Sequence, residues 1–571
     1  MLNTRLSMHG VKNFSRIKLL ILFLILFATV PLAYCLYTGH MWEDFFITFK
    51  FSKNFCDGEG LVYTPGEKVH GFTSPLGVIL PAFCYLVTGS DSYEKAVWLF
   101  RIIFCIPAFV AAGYFMISVF LSEDTDHKMI PVVFAGLLFT SEAKSVVFSV
   151  NGMETALMLF FLAWAFYLMS RDKFSWLNVG VAWGGLMWTR PDSCVYIAAL
   201  TVSFLAFRKN STLKGMIAPV LKAAAVTTVI YLPWFIWSWW YYGSPVPHTV
   251  LAKNAMNGPI DLLGVVMQIL THLFKAASWV YAPVYPHFAG WNPIIYIFSG
   301  SAGIFASVYW LLPWARGDRL GRIASLAFFI VMIYFASLPF PYPWYFPPAA
   351  ILGIIVFVRG FFTLSGHFKT QENRFTVPVI ALSGFFLVMM TTLLLTSYEM
   401  MLQQKYIENG TRKKIGEWLG ANTRKDDRIY LEALGYIGYF SDRKMLDYPG
   451  LVSPEVVELV KKERLNYFTL IERLRPEWVV VRILEHWNLI TQSAYFKKNY
   501  EVVIIFDSTD ALGNLGYIPG EGYLLYDSYY YISRRRNDGD PVIMERKLPQ
   551  MKKDRKNGEG SVTTQVVPDV K

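Results

Sequence analysis

A chain of 571 residues that is 54% hydrophobic and only 17% charged is too apolar for an ordinary soluble protein, in which about a quarter of the residues are charged. Its formal net charge of +11 does not indicate a nucleic-acid partner, because the lysines and arginines lie mostly in short loops between apolar segments and at the two ends. Its five cysteines include no C-x-x-C pair, which argues against a disulfide scaffold or a zinc site.

Apolar segments recur from the N-terminal region to about residue 397. The first follows a basic stretch and is long enough to cross a hydrocarbon core of about 30 Å, so we expect an uncleaved membrane helix with its N-terminus in the cytoplasm. The pattern predicts eleven transmembrane helices, near 19–38, 97–120, 130–143, 154–170, 174–190, 193–208, 217–240, 291–313, 323–338, 345–362 and 377–397.

The segment 75–89, "PLGVILPAFCYLVTG", is short and carries two prolines. If it lies at the membrane surface without crossing, nearly all the loop lysines and arginines fall on one side, as the positive-inside rule requires. As a full span it would reverse every later loop. We therefore predict an interfacial or re-entrant helix within a first outer loop at 39–96.

The chain after residue 397 is different in kind. Polar helical stretches such as "SPEVVELVKKERL" alternate with short β-type runs, namely "DRIYLEA", "EWVVVRI", "EVVIIFD" and "YYYISRR". This pattern predicts a transmembrane module at 1–397 followed by an α/β domain at 398–545, which an odd number of spans places outside the cytoplasm. Residues 546–571 contain few bulky apolar residues and are predicted to be a disordered basic tail.

Charged side chains near a membrane are costly, so each one is a functional candidate. The predicted topology places a small set of titratable residues on the outer side: Glu43, Asp44, His70, Lys144, Glu154, Arg190, Asp192, His248, Lys253 and His287. The sequence has no Walker loop, no G-x-S-x-G and no H-E-x-x-H motif. ATP hydrolysis and serine or zinc hydrolase chemistry therefore have no support.

Residues 43–55 are predicted to form a helix that begins with two acids. At about 100° per residue, Asp44 shares a face with Phe51, whereas Glu43 shares another with Lys50. We expect Glu43 to face solvent or pair with Lys50. Asp44 would be desolvated, which raises its pKa and suits it to act as a base. The alternative is that both acids merely complement the positive end of the helix dipole.

Other candidates allow two interpretations each. Arg190 in "WTRPDS" could bind a phosphate with two hydrogen bonds, or it could form a structural pair with Asp192. For His70 and His287, a hydrogen-bonded surface or turn histidine is the favoured interpretation. The uncharged stretch "PFPYPWYFPP", which includes Trp344 and Tyr345, is expected to serve for stacking or loop stiffness.

The stretch "EDFFITFKFSKNFCDGEGLVYTPGEKVHGFTSPL" resembles the first outer loop of bacterial membrane glycosyltransferases of the GT-C superfamily. The pattern is most similar to the mycobacterial terminal arabinofuranosyltransferase family and its uncharacterised relatives. "NGMETAL", "TRPD", "YGSPVPHTVLAK", "WYFPP" and "YIGYFSDRKMLDYPGLVSPE" also match recurring stretches, in the same order. The resemblance covers most of residues 18–530, and the first motif is its most specific part.

The resemblance implies an inverting transfer of one sugar from a polyprenyl-phosphate donor to a periplasmic glycan or glycolipid acceptor. The enzyme would lie in a bacterial inner membrane, with membrane lipids but no nucleic acid as further partners. Asp44 would be the base on the acceptor hydroxyl. Donor and acceptor binding is expected from Glu43, Lys50, His70, Thr73, Glu154, Arg190, Asp192, His248, Lys253, Trp344 and Tyr345.

Three positions depart from the family pattern. Glu43 stands where the family has Asp, His70 where it has Glu, and Lys50 where it has Arg. The first outer loop contains no D-x-D motif, so a divalent cation, Mg²⁺ or Ca²⁺, held by Glu43 and Asp44 stays an open expectation.

Two other classes of function remain open from the sequence. A transporter or flippase of lipid-linked saccharides would suit eleven helices, although inverted repeats and broken central helices are not evident. A cell-envelope glycan assembly protein without catalytic activity is the third interpretation.

Overall fold

The membrane part of the chain is a bundle of helices. The computed structural model describes residues 2–89, 93–121, 129–208, 213–257, 261–367, 371–536 and 563–566. The α-helices described up to residue 402 are α1 Leu2–Thr38, α2 Glu43–Cys56, α3 Leu76–Thr88, α4 Tyr93–Phe100, α5 Ile106–Leu121, α6 Met129–Ser141, α7 Ala143–Val150, α8 Thr155–Ser170, α9 Trp176–Thr189, α10 Ser193–Ala206, α11 Leu213–Tyr242, α12 His248–Asn257, α13 Leu262–Trp279, α14 Pro293–Val308, α15 Arg319–Ser337, α16 Pro347–Ser365 and α17 Gln371–Leu402.

Within the described residues, eight helices are long and apolar enough to cross a membrane, and α6 with α7 makes a ninth if this pair, bent by 57°, is one span. The eight are Ile17–Thr38, Tyr93–Leu121, Gly215–Tyr242, Leu262–Trp279, Pro293–Leu311, Arg319–Ser337, Pro347–Ser365 and Thr376–Asn422. Helices are present at all eleven predicted segments, and seven of these segments are among the eight candidate spans; the segment at 130–143 belongs to the bent pair. Those predicted at 154–170, 174–190 and 193–208 are α8, α9 and α10, which are shorter, with 14 to 16 residues. The multi-pass membrane architecture is confirmed.

The bundle has two ends, which we name by their contacts. The domain face is the end against which the C-terminal domain packs, and the opposite face is the other end. At the domain face, the backbone N–H of Trp42 donates to the carbonyl of Asn151 at 2.9 Å, which joins the start of α2 to the end of α7. At the opposite face, Arg319 Nε donates to the carbonyl of Phe207 at 2.8 Å.

Helix α3 lies at the domain face beside α2. Its 13 residues extend about 20 Å, which is too short for a hydrocarbon core of about 30 Å. The hydroxyl of Ser52 in α2 donates to the carbonyl of Val78 at 2.8 Å, and the ring of Tyr85 contacts Phe49 at 5.9 Å, so α3 follows α2 along its length. The short length and the packing along α2 favour the interfacial helix expected at 75–89, which stays a prediction.

Helix α13 was not predicted from the sequence. Polar residues such as Gln268 and Lys275 interrupt its apolar pattern, and it has the lowest mean hydropathy, 1.3, of the candidate spans in the described part of the chain. Gln268 contacts the carbonyl of Ala336 near the end of α15, and Trp279 contacts Phe340 just beyond it. Helix α13 therefore packs against the end of α15 and against the chain just beyond it.

The C-terminal part is a separate α/β domain. Its elements are α18 Lys413–Asn422, β1 Arg428–Leu431, α19 Leu434–Ser441, β2 Lys444–Asp447, α20 Pro454–Glu463, α21 Tyr467–Leu474, β3 Trp478–Arg482, α22 Ile483–Gln492, α23 Ala494–Asn499, β4 Tyr500–Asp507, α24 Thr509–Gly513, α25 Glu521–Tyr526, β5 Tyr529–Arg535 and β6 Thr563–Val566. The strands form one sheet in the order β2-β1-β3-β5-β4-β6.

The sheet is mixed: β1 pairs in parallel with β2 and β3, and the other neighbours are antiparallel. All five residues of β3 are buried, as expected of a central strand covered on both faces. The four predicted strand runs are β1, β3, β4 and β5, so the α/β domain is confirmed. The predicted disordered tail, 546–571, lies outside the described residues except for β6.

Two connections fix the domain above α2. Helix α17 continues through a π-helical segment, Gln403–Arg412, into α18 without a break, so the predicted boundary at 397–398 falls inside a helix and stays a prediction. In addition, Phe51 and Tyr63 of the first loop share a buried hydrophobic cluster with Ile429 and Ile437 of the domain. The domain is therefore held against the residues that begin with Glu43.

Candidate functional site

The site is built around the first turn of α2, where the chain turns away from α1. The side chain of Trp42 is buried, stacks on Tyr285 with ring centroids 5.6 Å apart and meets Phe148 edge-on at 4.8 Å. This aromatic packing fixes the start of α2. Glu43 and Asp44 then occupy its first turn, where unpaired backbone N–H groups and the helix dipole favour negative charge.

Glu43 and Asp44 form a carboxyl pair linked by a hydrogen bond. Burial and the neighbouring charge of Asp44 raise the pKa of Glu43 well above its ordinary value. Burial also raises the pKa of Asp44, although the hydrogen bond from Glu43 and the charge of Lys253 oppose the shift. The hydrogen bond favours the proton on Glu43 and the charge on Asp44. The pair can therefore present Asp44 as an ionised acceptor of a proton.

The expected pairing of Glu43 with Lys50 is wrong. A carboxylate oxygen of Glu43 accepts a short hydrogen bond from the backbone N–H of Gly435 in α19. Lys50 is buried, donates to the carbonyl of Gly438 at 2.9 Å and lies 3.5 Å from the carboxylate of Asp442. Helical phase alone suggested solvent on this face of α2, but α19 of the domain packs there and separates the two residues.

The cation that acts most strongly on Asp44 is Lys253 of α12, followed by Arg412. Burial alone would lower the pKa of Lys253, but Tyr345, Tyr342 and Asp44 outweigh burial and raise it, so the ammonium stays charged. Its Nζ atom lies 4.4 Å from the ring centroid of Tyr342. Because Trp344 stacks on Tyr342 at 4.7 Å, the aromatic segment 342–345 forms one wall beside the acid and the lysine.

The sequence left two roles open for Arg190, phosphate binding or a structural pair with Asp192. The structure shows the pair. Its Nε and Nη2 atoms donate to the two carboxylate oxygens of Asp192 at 2.9 and 3.0 Å, and Nη1 donates to Glu154 at 3.2 Å. The guanidinium also covers the ring of Tyr345 at 4.5 Å. Two carboxylates neutralise this arginine, so Arg190 positions Tyr345. The charge of Lys253, in contrast, lowers the pKa of Asp44.

The remaining candidates lie around this centre and not in it. Lys144 is buried and donates to the carbonyls of Trp279, Val280 and Ala282, so it holds the chain that returns from α13. His70 stacks on Tyr242 with centroids 4.5 Å apart, and burial lowers the pKa of His70 to about 4. Thr73 is half-buried in the loop before α3.

The other two histidines are also in packed environments. His248 begins α12, and its backbone N–H donates to the carbonyl of His70 at 2.7 Å. His287 lies among the rings of Trp279, Phe288 and Phe340. His70 is buried and its Nδ1 atom has no hydrogen-bond partner among the described residues, so its interpretation as a hydrogen-bonded surface histidine is wrong. His287 is exposed, as that interpretation expected.

The domain contributes Glu432, which the sequence analysis missed. This residue follows β1 directly, and its charge contributes to the raised pKa of Asp44. Arg482, at the end of β3, lies 2.5 Å from Glu432 and is itself 2.5 Å from Asp527. Ligand sites are common at the carboxyl ends of neighbouring parallel strands. The acid that ends the strand run "RIYLE" could therefore have been predicted as a site residue.

Among the described residues, no group of three or more His, Cys, Asp or Glu side chains is arranged to hold a metal ion. Glu43 and Asp44 supply two carboxylates, and the former is already bonded to Gly435. Magnesium is often held by one or two carboxylates together with substrate phosphates. The pair suits such a shared site better than a metal site made of protein ligands alone.

Gly435 is the point at which the domain touches the carboxyl pair, and its substitution by alanine should disturb both. A Cβ atom there would lie inside van der Waals contact of the carbonyl and carboxylate oxygens of Glu43. We expect Gly435→Ala to lower the free energy of unfolding by about 1–3 kcal/mol. Thermal unfolding in detergent measures this. Gly513→Ala is the matched control, since no atom lies within 4 Å of its added Cβ, and an equal loss in both variants would contradict the expectation.

Three comparisons place the chain among known proteins. The family model of a domain of unknown function, DUF8728, matches residues 400–529. No curated protein matches the chain. Among solved structures, the oligosaccharyltransferase of Archaeoglobus fulgidus in complex with Zn and sulfate is 12% identical, covers 87% of this chain and 73% of that protein, and has a TM-score of 0.51.

ArnT from Cupriavidus metallidurans is a second structural neighbour. In the apo state it is 11% identical, with 84% of this chain and 96% of ArnT covered and a TM-score of 0.50. ArnT bound to undecaprenyl phosphate is 11% identical, with 90% and 97% covered and a TM-score of 0.49. At such identities the likeness concerns the fold alone. The chain therefore shares its fold with the archaeal oligosaccharyltransferase and with apo ArnT.

Proposed function

We propose that the protein is an inverting membrane glycosyltransferase that moves one sugar from a polyprenyl-phosphate donor to a glycan or glycolipid acceptor. The observation that carries the proposal is the electrostatic pairing of the acid Asp44 with the cation Lys253. Both lie beside the aromatic segment 342–345, where the domain meets the membrane helices. A base and a cation are the two groups that this reaction needs at its reacting centre.

On the acceptor side, Asp44 takes the proton of the attacking hydroxyl. Burial raises its pKa toward the range in which a carboxylate is an effective base, and the hydrogen bond from Glu43 keeps the proton-accepting oxygen in place. The hydroxyl oxygen attacks the anomeric carbon from the face opposite the phosphate. A single displacement of this kind inverts the anomeric configuration.

On the donor side, Lys253 stabilises the negative charge that develops on the departing polyprenyl phosphate. Its ammonium group is fixed over the ring of Tyr342, and its raised pKa keeps it charged. Tyr345 is held by Arg190, so the aromatic wall is rigid where a sugar ring would lie. The apolar polyprenyl chain would then extend between the membrane helices.

The C-terminal domain would hold the acceptor. Glu432 and Arg482 lie at the ends of β1 and β3, on the side of the sheet nearest Asp44, and carboxylates with arginines are well suited to sugar hydroxyl groups. With the positive-inside pattern of the loops, the domain would lie in the periplasm of a bacterium and the enzyme in its inner membrane. The first-loop motif supports a relation to the mycobacterial terminal arabinofuranosyltransferases.

A divalent cation is an optional part of this site. Mg²⁺ or Ca²⁺ held by Glu43 and Asp44 would supply charge stabilisation at the phosphate. The residues described above account for proton removal and phosphate binding, and we derive no step through the ion.

Lys253→Ala should reduce sugar transfer by about two to three orders of magnitude in kcat/KM, because the leaving phosphate loses its nearest charged donor. Transfer is measured with purified protein and a radiolabelled polyprenyl-phosphate sugar. Lys275→Ala, which removes an exposed lysine of α13, serves as the control and should leave transfer unchanged. Equal activity of Lys253→Ala and wild type would contradict the assignment.

The function itself is tested with a panel of polyprenyl-phosphate sugars, hexoses and pentoses, supplied to the purified protein in detergent. Transfer of one labelled sugar to a soluble glycan or glycolipid supports the proposal. Movement of intact lipid-linked sugar across a vesicle, with no transfer, indicates a flippase. Glycan binding without either activity indicates an assembly protein. Mass spectrometry of envelope glycans after deletion of the gene then identifies the acceptor.

A further inference from the structure

A second cleft lies at the opposite face of the bundle, far from Asp44. It has a volume of about 460 Å³, within the range of about 300–1,000 Å³ that is usual for ligand pockets. The cleft is formed where α8 and α10 end and α11 and α15 begin. Its lining consists of Met169, Arg171, Asp172, Phe174, Thr201, Phe204, Leu205, Arg208, Met216, Val220 and Arg319.

Three arginines and one carboxylate line this cleft, which gives its walls a net positive charge of two. Arg319 is held at the wall because its Nε donates to the carbonyl of Phe207 at 2.8 Å, and Arg208 Nη1 donates to the carbonyl of Leu205 at 3.0 Å. A guanidinium carries five N–H donors, so the bond of Arg319 to Phe207 fixes this side chain and leaves further donors for an anion.

Apart from Thr201, the rest of the lining is apolar and continues onto the surface that faces the membrane. Met216 and Val220 of α11 line the cleft, and their neighbours Ile217 and Leu221 on the same helix are exposed by 45% and 62%. On a helix that crosses the bilayer, exposed side chains of this kind contact lipid. The cleft therefore joins a positively charged pocket at the membrane surface to an apolar path along α11.

This combination matches one chemical class of ligand. A free anion would use the arginines but not the apolar walls, and an uncharged lipid would use the walls but not the arginines. Basic pockets between transmembrane helices at the membrane surface are known sites for anionic lipid head groups. We propose that the cleft binds an anionic glycerophospholipid, with its phosphate at Arg171, Arg208 and Arg319 and an acyl chain against α11.

The test uses the full chain purified in neutral detergent and titrated with phosphatidylglycerol or with phosphatidylcholine of the same acyl chains, with bound lipid counted by native mass spectrometry. We expect phosphatidylglycerol to be preferred. The double variant Arg171→Gln/Arg208→Gln should weaken that binding about 30-fold, the effect of two lost charges near a membrane surface. Lys173→Gln/Arg316→Gln, two exposed basic residues outside the cleft, should change it by less than about twofold.

A substitution of opposite sign keeps the test independent of folding defects. Asp172→Asn removes the one negative charge of the cleft and should tighten phosphatidylglycerol binding. Equal binding of the two lipids, or equal losses in both double variants, overturns the proposal and indicates diffuse surface attraction. Displacement of the lipid by inorganic phosphate at millimolar concentration also overturns it, because the site would then be one for free phosphate.

Discussion

Asp44→Asn should reduce sugar transfer by about 100- to 10,000-fold, the range usual for loss of a general base, while expression and thermal unfolding stay unchanged. Asparagine fits the same space and keeps the hydrogen bond to Glu43, but it cannot accept a proton. Transfer with a labelled polyprenyl-phosphate sugar measures the effect. Asp57→Asn, at the other end of α2, removes a carboxylate that pairs with Lys53 and should be active. Full activity of Asp44→Asn would disprove the mechanism.

The pH dependence of transfer should separate the two acids. Because the reaction needs ionised Asp44 and burial raises its pKa, the rate should rise with pH through a value above that of an ordinary aspartate, about 3.9. Glu43→Gln keeps a hydrogen-bond donor to Asp44 and should leave this rising limb of the pH–rate profile at the same pH. Glu43→Ala removes the donor and should shift the limb to higher pH. A limb that does not move in Glu43→Ala would show that Glu43 does not tune the base.

Asp527→Asn should lower the free energy of unfolding by about 3–5 kcal/mol, because it leaves two buried arginines without their shared partner. The carboxylate accepts from Arg412 at 2.7 Å, from Arg482 at 2.5 Å and from Tyr530 at 2.9 Å. Thermal unfolding in detergent measures the loss. Asp510→Asn, an exposed carboxylate in the same domain, should leave the midpoint unchanged. Similar midpoints for both variants would contradict this account.

The same carboxylate gives the loss a defined pH dependence. Burial alone would raise the pKa of Asp527, but the charges of Arg412 and Arg482 outweigh burial and hold it below its ordinary value. A lowered pKa adds stability above the unfolded pKa and loses it as pH falls through the folded pKa. The difference between wild type and Asp527→Asn should therefore persist at neutral pH and shrink only below the range in which free carboxyl groups titrate.

Much of the architecture follows from local pattern. Hydropathy and alternation are patterns over a few residues, so they predict elements locally. They were enough to predict the apolar helices, α3 and the strands β1, β3, β4 and β5. Helix α13 escaped prediction for the same reason: Gln268 and Lys275 interrupt its apolar run, and its place in the bundle comes from packing against α14 and α15. A local pattern cannot show which polar residue a distant helix will cover.

The site shows the same limit more sharply. The motif pointed to Asp44, and the predicted topology placed Lys253 on the same side of the membrane. Helical phase, however, assigned Glu43 to solvent. In the structure, Gly435 of the domain packs against Glu43. Glu432 lies 388 residues from Asp44 in the chain. A contact at that separation is set by how the domain sits on the bundle, which no local pattern in one sequence records.

The unbroken helix from α17 through the π-helical segment into α18 has a consequence for protein engineering. Each residue added to a helix turns everything beyond it by about 100° and lifts it by about 1.5 Å. An insertion between the bundle and the domain would therefore swing the end of β1 away from α2 as a rigid arm. Chimeras that exchange the domain between relatives must be joined in helical phase, whereas loops elsewhere tolerate changes in length.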